Sequence, residues 1–251
     1  MYIKKAIITS VIGDMDSQKI LALAIYLKKV LTNSRIKHYN LNRLSGASGI
    51  TYKTLKTYVP LLEQNKYIHF EGSGNKKILV LNRLSSRNNN RNIDISMFDF
   101  TSYRGVINSL RAYIVINIQV KKEYIKQMLN NRQNPKWNID YKNLNRKVNK
   151  MVRNGQLNSP YQKYEEYGIS YERFKKELGC SIVTATKAVK YAVDHGWLEK
   201  RPNYVQTYSR GVNYYEAEGY TFTTKNNLYN IKANIYSIPP EILAQMLNLA
   251  D

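Results

Sequence analysis

Apolar residues in the first third of the chain recur every three or four positions, which is the spacing of amphipathic helices. The helices predicted from it are Gln18 to Leu31, Leu41 to Ser45 and Tyr52 to Gln64. Asn40 is a good N-cap for the short second helix, and Thr51 for the third. Between these two helices, Gly46-Ala-Ser-Gly49 predicts a tight turn.

Strand patterns flank these helices. Ala6 to Ile12 reads as a short strand, and Lys66 to Glu71 and Lys77 to Leu81 read as two strands joined by Gly72-Ser-Gly-Asn75, which indicates a β-hairpin.

Pro60 lies inside the third predicted helix, where it has no amide hydrogen for the Lys56 carbonyl. We expect it to kink this helix or to end it early.

The same order of signals returns in the second half. Ser170 is an N-cap for a helix over Tyr171 to Leu178, Gly179-Cys-Ser181 is a turn, and Ile182 to His195 is a second helix. Gly196 ends that helix, and Trp197 to Lys200 begins a strand. The segment Arg201 to Gly211 would then form a second hairpin.

The remaining segments are less regular. Tyr103 to Asn131 is most simply one long helix, although apolar residues alternate like a strand from Ala112 to Val120, and length favours the helix. Tyr141 to Arg153 predicts another helix. Tyr214 to Tyr236 suggests extra hairpins, and Pro239-Pro240 opens a last amphipathic helix through Leu249.

A polar run, Ser85 to Asn92, divides the chain and reads as a linker or long loop. The domains predicted from it are residues 1–84, a linker at 85–100, a second domain at 101–238 that includes inserted helices and extra hairpins, and a terminal helix at 239–251. The fold class expected is mainly α with small β wings (α+β).

The net charge of the chain predicts what kind of partner it binds. Among 251 residues, 39 Lys and Arg stand against 18 Asp and Glu, a net charge of +21. An AT-rich coding sequence would explain the abundant Asn and Tyr, but not a twofold excess of bases. Such an excess predicts an anionic partner, and nucleic acid is favoured over a membrane surface or an acidic protein.

Other composition data exclude several classes. The longest run without a charged residue is nine positions, whereas a membrane-spanning helix needs about 20 mostly apolar residues. The single cysteine, Cys180, excludes an intramolecular disulfide and a cysteine-based zinc site, and fits the cytoplasm. His38, His69 and His195 are isolated, and the Gly72-Ser-Gly-Asn-Lys76 segment is not a phosphate loop. We therefore expect no catalytic residue, no metal site and no cofactor.

The basic residues are unevenly placed. From Lys19 to Leu62 there are eight bases and no acid, and from Tyr141 to Tyr164 six bases and no acid. Counterion release would make binding to phosphates steeply salt-dependent. The DNA-binding candidates are the side chains expected to face outward on the two longer helices and on the hairpins: Tyr52, Lys53, Lys56, Thr57, Lys76, Lys77, Thr184, Lys187, Lys190, Tyr191, Arg201, Tyr208 and Arg210.

Helix, short helix, turn, helix and hairpin, present twice, resemble the winged helix-turn-helix, and the segment from Leu178 to Leu198 is similar to the core of bacterial modules of this kind. The tandem arrangement resembles the replication initiators of plasmids and phages. That resemblance implies sequence-specific binding of double-stranded DNA without catalysis, with the second helix of each pair in a major groove. It also implies a helicase or primase partner.

Two other functions stay open. A transcriptional regulator would more often be a homodimer on a palindromic site. A structural or packaging protein would coat nucleic acid by charge alone, RNA included.

Overall fold

The computed structural model describes residues 1–31, 33–87, 92–130, 169–207, 221–224, 227–239 and 242. Over these residues the protein is a mixed α+β structure, with helices packed around one apolar core and small antiparallel sheets at its edges. The predicted helices at 141–153 and 240–249 lie outside the described residues, apart from Ile242, which is half-buried against the core.

The first half contains strands and helices in the following order: β1 (Tyr2–Lys4), α1 (Lys5–Ser10), α2 (Met15–Val30), β2 (Arg35–Ile36), α3 (Leu41–Ser48), α4 (Tyr52–Gln64), β3 (Ile68–Glu71), β4 (Ile78–Leu81) and β5 (Asn92–Asp94). β1 pairs with β5, and β4 lies between β2 and β3; all of these pairings are antiparallel. The hairpin predicted from Gly72 to Asn75 is confirmed, with Phe70 opposite Leu79.

The strand predicted at Ala6 to Ile12 is wrong. Residues 5–10 form α1, and the strand lies just before it, where Ile3 is fully buried. Helix α1 and the turn after it bury Ile8 and Val11, three positions apart, which a helical turn places on one face and a strand would not.

Two details of the next helices also differ from the sequence predictions. Helix α3 continues through Gly46 to Ser48, so the turn is confined to the residues after it, where Gly49 has φ +68°. Helix α4 does not end early but continues past Pro60 to Gln64, whereas a kink at Pro60 stays a prediction. Pro60 is exposed, so its ring lies on the solvent side of the helix, where a missing main-chain hydrogen bond is tolerated.

The second half contains α5 (Tyr103–Asn130), α6 (Tyr171–Leu178), α7 (Ile182–Asp194), β6 (Glu199–Thr207), β7 (Thr221–Thr224) and β8 (Asn227–Ser237). The long helix predicted from Tyr103 is confirmed. All five residues from Ala112 to Ile116 are buried, which explains the strand-like alternation: a helix enclosed on every side has no polar face to mark its period.

The third sheet has the order β6, β8, β7 and is antiparallel. The hairpin predicted from Arg201 to Gly211 is wrong over its described part, because residues 201–207 belong to the single strand β6, which pairs with β8. Strands β7 and β8 are antiparallel neighbours, with Phe222 opposite Tyr229, which agrees with an extra strand pairing within Tyr214 to Tyr236. The pairing of β6 with β8 is irregular between Arg201 and Asn203. Pro202 stands there, and a proline cannot donate a ladder hydrogen bond.

Helices α2 and α5 pack against each other at the centre of the molecule. Helix α2 is buried on nearly every side, with Leu21, Leu23, Ile25 and Leu27 all fully inaccessible. The range 85–100, predicted as a linker, contains β5 and the buried Ile93, Ile95 and Phe98. Separate folding of 1–84 and 101–238 stays a prediction.

Candidate nucleic-acid interface

The two helix pairs, α3–α4 and α6–α7, are the same construction repeated 130 positions apart. The shorter helices have 8 residues and the longer ones 13. Asn40 and Ser170 accept the first hydrogen bond of the shorter helix, from the amides of Arg43 and Arg173. These two caps provide the same start for both pairs.

The turns between the paired helices also correspond. Gly49 and Gly179 both have a left-handed backbone, at φ +68° and +63°. Thr51 and Ser181 then cap the longer helices by accepting the amides of Thr54 and Thr184 at 3.3 Å each. The turn geometry is therefore equivalent at every capping position.

The buried positions of the two pairs coincide as well. Each side chain that packs inward in the first pair has a buried counterpart 130 positions later: Leu44 and Phe174, Leu55 and Ala185, Val59 and Val189, Leu62 and Ala192. Sequence reasoning found the repeated order of elements but missed the constant offset, which aligning residues 40–68 with 170–198 would have revealed. The outward faces of α4 and α7 are therefore equivalent surfaces.

One helix holds both turns. The hydroxyl of Tyr26 donates to the carbonyl of Ser48, the last residue of α3, at 3.1 Å. The amide of Gln18 donates to the carbonyl of Leu178, the last residue of α6, at 2.9 Å. Both donors belong to α2 and both acceptors are equivalent positions of the repeat. Helix α2 thereby fixes the two turns within one packed unit.

The outward face of α4 carries the four side chains predicted for it. Tyr52, Lys53, Lys56 and Thr57 are all exposed. The Thr57 hydroxyl donates to the Lys53 carbonyl at 3.2 Å, so it offers only acceptor capacity to a ligand. Neither lysine forms an ion pair with an acid among the described residues, so both ammonium groups are available to an anion.

Helix α7 matches the prediction in part. Lys187 and Lys190 are exposed, and neither pairs with a described acid. Thr184 is half-buried, and its hydroxyl lies 3.1 Å from that of the capping Ser181. That contact gives the Thr184 hydroxyl a role in starting the helix.

The outward placement of Tyr191 is wrong. Its hydroxyl lies 3.1 Å from that of Ser109 on α5, and its ring stacks on His195 at 3.8 Å between centroids. Burial raises the pKa of this phenol. Periodicity placed Tyr191 at the edge of the outward face, but packing against α5 turns it inward and makes it a link between helices.

The hairpin residues separate into different environments. Lys76 is exposed at the tip, whereas Lys77 is half-buried, with its ammonium 3.9 Å from the centre of the Phe70 ring and 5.9 Å from that of Tyr39. Arg201 lies on β6 opposite Ile235. Tyr208 and Arg210 lie outside the described residues. Lys76 is exposed and forms no ion pair with any acid in the part of the chain that the structure describes.

Sequence reasoning missed Ile182 and Val183, the first two residues of α7, which are 42% and 59% exposed. An open depression of about 640 Å³ is lined by residues of α6 and the turn after it: Glu172, Arg173, Lys175, Lys176, Gly179 and Cys180. Burial raises the pKa of the Cys180 thiol, which keeps it protonated and poorly nucleophilic.

The described residues contain no group of three or more His, Cys, Asp or Glu side chains that could hold a metal ion. They also contain no helix with the length and apolar character needed to cross a bilayer. Comparison with protein-family models, with curated proteins and with solved structures gave no match for this chain.

Proposed function

We propose that this protein binds double-stranded DNA through two winged helix-turn-helix modules, with α4 and α7 as the recognition helices and without catalysis. The observation that carries the proposal is the repeat at an offset of 130 residues. Both copies keep the caps, the left-handed glycine and the 13-residue helix, and both present exposed lysines on the outward face.

Electrostatics support this assignment. The exposed Lys53, Lys56, Lys187 and Lys190 have no acidic partner among the described residues, and the chain has a net charge of +21. Lysine can donate to O6 and N7 of guanine in the major groove or to phosphate oxygens. Lys76, at the hairpin tip, is placed to contact the backbone beside the groove.

Within DNA-binding proteins, we propose a replication initiator or replisome organiser of a plasmid or phage. Two recognition helices fixed by the same helix, α2, suit repeated sites at a set spacing, which is the organisation expected of an origin. A helicase or primase would be the protein partner of this role, and a homodimer is compatible with it.

The test is fluorescence anisotropy of the full chain with random duplexes and with duplexes selected from a random pool, across a salt series. We expect the selected duplexes to bind at least a hundredfold more tightly than random ones, and the logarithm of affinity to fall by about 0.9 per phosphate contact against the logarithm of salt. Equal affinity for every sequence would overturn sequence-specific binding and leave a coating protein. Preference for one palindrome by a dimer would indicate a transcriptional regulator.

A further inference from the structure

Several exposed large apolar side chains lie at two equivalent places. Outside 120–130, 201–207, 221–224 and 227–235, the described residues contain four of them: Tyr2, which lies away from the helix pairs, and Tyr52, Ile182 and Val183, which lie in them. Tyr52 is the first residue of α4, and Ile182 is the first residue of α7. The first turns of both proposed recognition helices thus present apolar surface to solvent.

Helix stability does not account for Val183. A β-branched residue has lower helix propensity than lysine or alanine, and the equivalent position of α4 is occupied by Lys53. At 59% exposure, Val183 also gains little from burial. Its stiff χ1 torsion holds its two methyl groups in a fixed direction, which favours contact with a rigid apolar ligand group.

The surroundings of Val183 are basic. Lys187 and Lys190 follow it four and seven positions later, so the three side chains share one stripe of α7. Both lysines are exposed and lack an acidic partner among the described residues. An apolar tip followed by a line of positive charge complements the DNA major groove, where the thymine methyl is the apolar group and phosphates line the edges. An apolar partner protein would not require the lysines.

We propose that Val183, with Ile182 beside it, contacts the 5-methyl group of thymine in the major groove and gives the second half of the protein a preference for T·A pairs. This inference rests on the proposed DNA binding. It also predicts that the two halves read different bases, since Lys53 at the position equivalent to Val183 is a hydrogen-bond donor suited to guanine.

The experiment replaces thymine by uracil, one position at a time, in a duplex selected by the full chain. This substitution removes only the 5-methyl group. Anisotropy at fixed salt should show one or two positions where uracil weakens binding about fourfold, the ratio expected when one methyl group is no longer removed from water. Val183→Ala should weaken binding to the thymine duplex by a similar factor and be insensitive to uracil at the same position.

Thr186→Ala is the matched control, because Thr186 is exposed on the same helix and its hydroxyl donates to the Ile182 carbonyl at 2.9 Å. This variant should keep the full uracil effect. A Val183→Ala protein that responds to uracil as strongly as the unaltered protein would overturn the inference while leaving DNA binding intact. Loss of self-association in Val183→Ala, with unchanged DNA affinity, would overturn it in favour of a protein contact. Absence of binding to any duplex would instead refute the proposed function itself.

Discussion

Gln18 donates a hydrogen bond from its side-chain amide to the main-chain carbonyl of Leu178, 160 positions away, at 2.9 Å. Gln18 is fully buried, also donates to the Val11 carbonyl at 3.2 Å, and accepts from Arg111 on α5 at 3.4 Å. A buried side-chain amide that forms all three of these hydrogen bonds is stabilising, whereas buried polar groups left without hydrogen bonds would be costly. The first half of the chain therefore positions the turn before α7.

Replacing Gln18 by methionine, which has a similar shape, should reduce the free energy of unfolding by about 1–3 kcal/mol, because the Leu178 and Val11 carbonyls lose a buried donor. Tyr26→Phe is the matched variant, since it removes only the 3.1 Å bond to Ser48 and should cost about 1 kcal/mol. Urea denaturation measures both. A loss below about 0.5 kcal/mol for Gln18→Met would show that water replaces the amide.

Gly179→Ala should destabilise the protein much more than Gly49→Ala, although both glycines occupy the left-handed region. A Cβ on Gly49 meets nothing within 4 Å, whereas one on Gly179 would overlap the carbonyl of Gly13. We expect roughly 1 kcal/mol for Gly49→Ala from backbone strain and about 2 kcal/mol more for Gly179→Ala from overlap. Equal midpoints in thermal denaturation would contradict the close approach of the two backbones.

Lys187→Ala should weaken binding to a selected duplex by about 1–3 kcal/mol if the lysine contacts a base. Tyr191→Phe should leave that affinity unchanged and lower the free energy of unfolding by about 1 kcal/mol, because the Tyr191 hydroxyl lies within hydrogen-bond distance of Ser109 on α5. Anisotropy and chemical denaturation of both variants separate the two roles. A loss of DNA affinity in Tyr191→Phe, with an unchanged affinity in Lys187→Ala, would instead assign Tyr191 to the DNA-contacting face.

Lys76→Ala should change DNA binding, whereas Lys77→Ala should change the stability of the protein. Lys76 is exposed, and removing it should lower the salt dependence of binding by about one phosphate contact. Lys77 lies over the Phe70 ring, so its removal should cost about 0.5–1 kcal/mol of stability. A salt series of anisotropy titrations, with unfolding curves alongside, measures both effects. An unchanged salt slope for Lys76→Ala would remove the hairpin tip from the interface.

Asp14 should make stability depend on pH in the acid range. It caps α2 by accepting from the amides of Asp16 and Ser17, and the hydrogen bonds from Ser17 lower the pKa of its carboxyl below 3.8. A lowered pKa in the folded state gives stability that is complete above the unfolded value and is lost as pH falls through the lowered one. Asp14→Asn keeps a capping oxygen.

The Asn variant should therefore be less stable than the unaltered protein at pH 6, by a difference that shrinks as the pH falls below the unfolded pKa of Asp14, whereas Asp14→Ala should cost about 1 kcal/mol at pH 6. Urea denaturation at a series of pH values measures this. An identical pH profile for the unaltered protein and Asp14→Asn would assign the pH dependence to other carboxyl groups.

Sequence reasoning found the secondary structure where local signals were strong. Thr51 and the turn Gly179-Cys-Ser181, each followed by helical spacing, located α4 and α7, and the Gly-rich segment after Phe70 located the first hairpin. It failed at residues 6–12, where a short apolar stretch interrupted by Thr9 and Ser10 shows no clear period, and at Tyr191, where the side chain contacts Ser109 on another helix.

By itself the sequence determined the two helix pairs, their lysine-bearing faces and the excess of positive charge, because caps, glycines, periodicity and composition are local properties of the chain. Only the tertiary structure decided that α2 holds both turns through Gln18 and Tyr26, that Lys77 lies over an aromatic ring, and that Val183 is left exposed. The two hydrogen bonds join residues 22 and 160 positions apart, and all three features depend on how separate elements pack against one another, which no local signal specifies.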